Sequence, residues 1–238
     1  MAYTNIDDPS AYFHTQLYTG NGTAIGSGGN VITNNANSGN FKPDWTWHKV
    51  RSTANDHQVY DSSRGVKIRL NPNATNSDFT LNEGLQSFDT NGFTVGSDGG
   101  VNSNNQTYVA WQWKANGGTT ASNSNGSITS TVQANTDAGF SIVTFTGTGA
   151  TTTVGHGLGV KPSLFIIKNR SATSNWFTYT DVIDGSLDFL YLNSTDAKID
   201  SGLSAPTTSV FTVNSSTAPN TNTIIAYCFA EKQGYSKF

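Results

Sequence analysis

Hydrophobic residues along this chain fall in short runs, most of them at a period of two, separated by clusters of turn residues. Phe140 to Thr146 sets Ile142 and Thr144 against Val143 and Phe145, the alternation of a half-buried strand. Trp45-Thr-Trp47-His-Lys49 alternates in the same way, whereas Leu164-Phe-Ile-Ile167 is continuously apolar and predicts a strand buried on both faces. Val109, Trp111 and Trp113 share one strand face, and Ile225, Tyr227 and Phe229 share another of the same kind. Asn21-Gly22, Asn91-Gly92, Asp98-Gly99-Gly100 and Asn116-Gly117-Gly118 punctuate these runs as turns. No stretch carries a 3.6-residue amphipathic period. The pattern predicts an all-β protein of short strands, sandwich or jelly roll in architecture.

The runs also recur in order. Phe13-His-Thr-Gln-Leu-Tyr-Thr-Gly20 matches Phe140-Ser-Ile-Val-Thr-Phe-Thr-Gly147, and Lys42-Pro43 matches Lys161-Pro162. Lys49-Val-Arg-Ser52 matches Lys168-Asn-Arg-Ser171, and Asp61 to Gly65 matches Asp181 to Gly185. Phe93-Thr-Val95 pairs with Phe211-Thr-Val213, and Tyr108 to Trp113 with Ile224 to Phe229. Collinear matches of this kind predict an internal duplication. The expected division is a first β-sandwich over 1–115, a Gly/Ser/Asn-rich linker over 116–126 and a second sandwich over 127–234, its first strand at Ile128 to Gln133. Residues 235–238 are then a tail or the opening of a third repeat.

Composition narrows the function classes. Charged residues make up 12% of the 238, below the usual share of about 25%. With a net charge of −3 and 11% aromatics the chain is not of disordered type, and it has no basic cluster for nucleic acid. The N-terminus lacks a signal-peptide pattern, and no apolar run approaches the ~20 residues of a membrane span. The expectation is a protein made in a reducing cytoplasm, without membrane insertion. Its one cysteine, Cys228, lies in an apolar run and reads as a small buried hydrophobe.

Candidate chemistry is sparse. His14, His48, His57 and His156 show no metal-ligand spacing, and Asp7-Asp8 and Asp196/Asp200 fit no calcium loop, so no metal or cofactor is expected. Asp56-His57 with Asp61 resembles an acid/base group, but the matching stretch of the second half offers Asn175 and Trp176, which argues against catalysis. Gly155-His-Gly-Leu-Gly159 lacks a βαβ context and reads as a turn. Trp45, Trp47, Trp111 and Trp113 offer either a sugar-stacking platform or core filling; their aliphatic and aromatic replacements in the second half favour the core. Trp176, without an aromatic match in the first half, is the candidate for an exposed ligand contact, and Arg64 is the second candidate, present in one half only.

The ordered motifs Asp7-Asp-Pro-Ser-x-Tyr-Phe13, Tyr18-Thr-Gly-Asn-Gly22, Phe41-Lys-Pro-Asp44, Asp61-Ser-Ser-Arg-Gly65, Phe88 to Val95, Tyr108 to Lys114 and Val154 to Pro162 resemble a repeat module of virion proteins from marine tailed phages, the cyanophages and pelagiphages. The resemblance implies lectin-like β-sandwiches and a non-enzymatic virion protein, tail-fibre or tail-associated, assembled in the host cytoplasm. It implies other virion proteins as partners, a homo-oligomer (a trimer, as phage fibres commonly are) and a host-surface glycan as the possible ligand. A capsid decoration protein is the alternative within that class, and a glycan depolymerase the alternative outside it.

Overall fold

A computed structural model describes residues 6–35 and 41–238. The chain is nearly all β, 41% strand and 4% helix, arranged in several antiparallel sheets. No helix among the described residues is long and apolar enough to cross a membrane. The chain divides into two compact units, the first formed by Asp8–Ala74 with Asp78–Gly118 and the second mostly by Thr119–Phe238.

The first unit runs β1 (Phe13–Thr19), β2 (Asn30–Thr33), β3 (Trp45–Val50), β4 (Gln58–Asp61), β5 (Ile68–Arg69), β6 (Phe79–Thr80), β7 (Leu85–Asp89), β8 (Gly92–Val95), a single helical turn α1 (Gly99–Asn102) and β9 (Thr107–Trp113). One sheet has the order β1-β9-β3-β4, a second β2-β8-β7, and β5 pairs with β6. Ile32, Tyr60, Leu85, Phe93, Val95 and Ala110 come from both larger sheets, with Val101 of α1, into one buried cluster, the sandwich-like arrangement that apolar strand faces require.

The second unit runs β10 (Ala121–Asn123), β11 (Ser130–Asn135), β12 (Phe140–Thr146), β13 (Thr152–Gly155), β14 (Leu164–Asn169), β15 (Trp176–Thr180), β16 (Asp188–Tyr191), β17 (Ile199–Asp200), β18 (Val210–Val213) and β19 (Thr223–Phe229). Its main sheet is eight-stranded, in the order β10-β11-β12-β19-β14-β15-β16-β17, and β13 pairs with β18. The core gathers Val143, Phe165, Ile167, Tyr179, Phe211, Ala226 and Cys228, with the Phe165 and Tyr179 rings stacked 4.8 Å apart. Two boundaries differ from the sequence expectation. The stretch expected as linker holds β10, which pairs with β11 through Ala121–Asn123, and the strand expected at Ile128 to Gln133 lies at Ser130–Asn135. Backbone pairing, not side-chain pattern, makes β10 a strand: its residues are small and polar.

At the β7–β8 hairpin, Gly92 has φ +121°, and a Cβ there would lie 2.0 Å from the carbonyl oxygen of Ile32. Gly92→Ala must therefore push β2 off β8 and is expected to cost about 2 kcal/mol, read from the urea midpoint. Gly65→Ala, at φ +95° with open space around it, is expected to cost about half as much.

Candidate functional site

The two residues singled out from sequence are both interior. Trp176 is 1% exposed, so the expectation of a solvent-facing contact is corrected; the ammonium of Lys168, itself buried, lies 5.9 Å above its ring and donates to the Ser174 carbonyl. Trp176 heads a strand whose residues are nearly all buried, where a large ring packs rather than projects. The Arg64 side chain is inaccessible too. Its Nε meets the Asp61 carboxylate, Nη1 donates to the Ile68 carbonyl at 2.9 Å and Nη2 to the Val59 carbonyl at 3.1 Å. The Arg64 amide completes the turn by donating to Asp61 Oδ1 at 2.8 Å. Arg64 ties β4 to the turn that follows it, and Asp61 is committed to that pair rather than to His57.

The histidines are dispersed. His156 is buried, facing the Thr207 carbonyl and accepting from the Leu158 amide. His14 meets Gln16 Oε1 and Asn35 Oδ1 at 3.1 and 3.0 Å. Among the described residues no three His, Cys, Asp or Glu side chains gather as metal ligands would. Asp8 caps the turn at Ser10, Asp196 meets Ser194, and Asp200 accepts from the Gly202 amide. Asp184 and Asp188 share Lys198, whose hydrogen bond is the main reason the Asp184 carboxyl titrates below the usual range. Cys228 is fully buried, and burial pushes its thiol up to about 12.

The expected core placement of the tryptophans holds for Trp45, which is 2% exposed, while Trp47, Trp111 and Trp113 are only half-buried. In the β1-β9-β3-β4 sheet the face turned to the core carries His14, Gln112, Thr46 and Tyr60 in one row and Gln16, Ala110, His48 and Gln58 in the next. Trp45, Trp47, Trp111 and Trp113 therefore stand on the opposite face. The polar inner rows bond sideways, although the buried Gln112 Oε1 has no partner among the described residues. Gln112 donates to Asn34 at 2.7 Å, His48 meets Thr46 at 3.0 Å, and Gln58 donates to Asp98 at 2.6 Å while accepting from Tyr60. This buried amide and imidazole layer was missed because His-x-Gln and Thr-x-His alternation reads equally well as a solvent-facing strand edge.

On the outward face, Trp47 and Trp111 lie directly opposite each other in register, edge to face at 86° with centroids 6.4 Å apart, and both are half-buried. The Trp47 indole N–H donates to His57 Nδ1 at 2.8 Å, which fixes the imidazole proton on Nε2. Burial, then the nearby Lys49, lowers the His57 pKa against the opposing pull of Asp56, so the ring is neutral at physiological pH. The Asp56 carboxylate and the His57 amide are both held by Asn73, at 2.7 and 3.0 Å. Exposed Thr15 borders Trp111 across the register, and Lys49 follows Trp47 on the same face. Two partly exposed indoles rimmed by an imidazole N–H, an ammonium and a hydroxyl make a surface that can stack against C–H-rich rings and hydrogen-bond their hydroxyls.

A model of a domain of unknown function, DUF7483, matches residues 8–238, and the chain belongs to that family. No curated protein and no solved structure matches it.

Proposed function

We propose that the chain is a tandem pair of β-sandwich repeats serving as a structural and adhesive virion protein of a tailed phage, tail-fibre or tail-associated, with a surface glycan as ligand. The phage assignment is supported by the motif resemblance alone. The repeat reading is supported by matching strand order and register. β1-β9-β3-β4 and β12-β19-β14-β15 follow one another in the same way, with Phe13 opposite Trp113 as Phe140 is opposite Phe229, and Trp45 opposite Trp113 as Leu164 is opposite Phe229. Ile32 faces Phe93 as Val154 faces Phe211. Asn105 and Thr221, both non-glycine residues at positive φ (62° and 65°), donate to the carbonyls of Gly20 and Gly147. In this register the counterpart of Asp61 is Thr180 rather than Asp181, and the second turn carries one extra residue before Gly185.

The single observation carrying the adhesive role is the partly exposed Trp47–Trp111 pair with its His57 rim in the first unit, whose register counterparts in the second unit, Ile166 and Tyr227, are buried. Binding of the whole chain, displayed multivalently on a glycan array, tests it, because avidity makes weak single sites visible. Trp111→Ala is expected to lower the array signal at least about tenfold, the worth of one aromatic stack, with an unchanged circular dichroism spectrum. An array on which wild type and variant are equally silent, or equally bright, removes the glycan reading.

A further inference from the structure

β1 is the outer strand of its sheet, and its backbone alternates in what it bonds. The Lys114 amide donates to the Tyr12 carbonyl and the Gly20 amide to the Gln106 carbonyl, so even-numbered residues of β1 pair with β9. Phe13, Thr15 and Leu17 then direct their N–H and C=O groups outward. In the second unit the residues in the same register, Phe140, Ile142 and Thr144, face Asn135, Gln133 and Thr131 of β11. Just before β11, Ile128 bridges Val154 of β13 in parallel, and its amide donates to the Thr153 carbonyl. Thr153 has Val31 of β2 as its register counterpart. No strand among the described residues occupies the corresponding lane of the first unit. Leu17 and Val31, which flank that lane, are 55% and 64% exposed, the two most exposed large hydrophobic residues described.

We propose that the first unit accepts an extended strand from a partner protein along β2 and β1, in the path that residues 127–135 follow through the second unit. The incoming strand pairs in parallel with Val31 and then antiparallel with Leu17, Thr15 and Phe13. Main-chain hydrogen bonds hold it, and alternate side chains select it. The chemistry of the lane specifies the partner. In the second unit the inward positions of β11 are Val132 and Ala134, opposite Val143 and Ser141, and Val132 joins the apolar core. In the first unit the corresponding floor is Gln16 and His14. The partner strand therefore carries small amide or hydroxyl residues inward and an apolar residue outward, opposite Leu17. Gln16 Nε2, which donates to the Leu17 carbonyl at 2.8 Å, swings aside when the strand arrives. The inference rests on the register match between the units and is independent of the glycan-binding reading.

The probe is a fluorescent peptide of residues 126–136 carrying Thr131→Val and Val132→Asn, titrated against the full chain. Saturable binding is expected, with amide exchange of Phe13, Thr15 and Leu17 slowed on addition of peptide. Thr15→Pro removes an outward amide but no bond to β9, and Leu17→Lys removes the apolar flank; each is expected to weaken binding about tenfold or more while leaving the urea midpoint nearly unchanged. Absence of saturable binding up to about 1 mM peptide, or binding indifferent to both substitutions, overturns the proposal. Concentration-dependent self-association abolished by Leu17→Lys overturns it as well, by assigning the edge to a second copy. Neither result bears on the Trp111→Ala array, so the two readings fail separately.

Discussion

Arg64→Ala is expected to destabilise the protein by about 3–5 kcal/mol, the cost of stripping one partner from a buried ion pair. The guanidinium is fully enclosed and serves three acceptors at once: the Asp61 carboxylate and the carbonyls of Ile68 and Val59. Removing it leaves a carboxylate with no access to water, together with two carbonyls that lose a charged donor. Arg64→Lys is expected to recover only part of the loss, because an ammonium cannot span the fork that Nε, Nη1 and Nη2 fill. Asp61→Asn with Arg64→Met, which removes both charges, is expected to be less harmful than Arg64→Ala alone. Urea denaturation at neutral pH measures all three. A loss below about 1 kcal/mol for Arg64→Ala would show that the pair is worth no more than a surface one.

The second large effect is acid sensitivity set by His48. Its ring is fully buried, edge-on to Phe93 and Tyr60 with centroids 4.9 and 5.9 Å away, and held at Nε2 by Thr46. Burial lowers its pKa from 6.5 to about 3. Above pH 6.5 the folded and unfolded chains are both neutral at this residue, so it imposes no pH dependence. Below 6.5 the unfolded chain takes up a proton that the folded chain refuses, and stability falls until the pH reaches about 3. Between pH 7.5 and 4 the loss is about 3 kcal/mol from this residue. His48→Ile, which installs the residue found at the same register in β14 (Ile167), removes that contribution. Urea midpoints of wild type and variant are expected to diverge as pH falls and to run parallel if His48 is protonated in the fold.

Phe165 and Ile167 show how a strong pattern reaches its expected place: the continuously apolar run 164–167 has no polar face to turn outward, so burial follows from composition. The β9 and β19 strands were legible for a related reason, their aromatic and β-branched residues standing between Gly/Asn turns. β10 was not legible, because a strand of Ala, Ser and Asn is made by its neighbour's hydrogen bonds. The candidate site was less legible still. Alternation in β3 divides Trp45 and Trp47 from Thr46 and His48 but assigns neither pair to the core. The apolar pair was the natural choice, yet the fold turns the polar pair toward the sandwich core, among Gln58, Gln112 and Asn34, while Trp45 is buried and Trp47 half-buried on the other face.

By itself the sequence determined that this protein is nearly all β and where its strands richest in aromatic and β-branched residues and many of its turns fall. Those properties follow from residue-by-residue periodicity and turn chemistry, which are local. Only the tertiary structure decided which face of each strand is inside, that Arg64 and Trp176 are interior, and that Trp47, Trp111 and His57 meet on one surface. It also decided that no described strand covers the outer edge of β1, whereas β11 covers that of β12. Facing and pairing depend on residues brought together from distant parts of the chain, such as Asn34 with Gln112 or Ile128 with Val154, and a one-dimensional pattern carries no term for them.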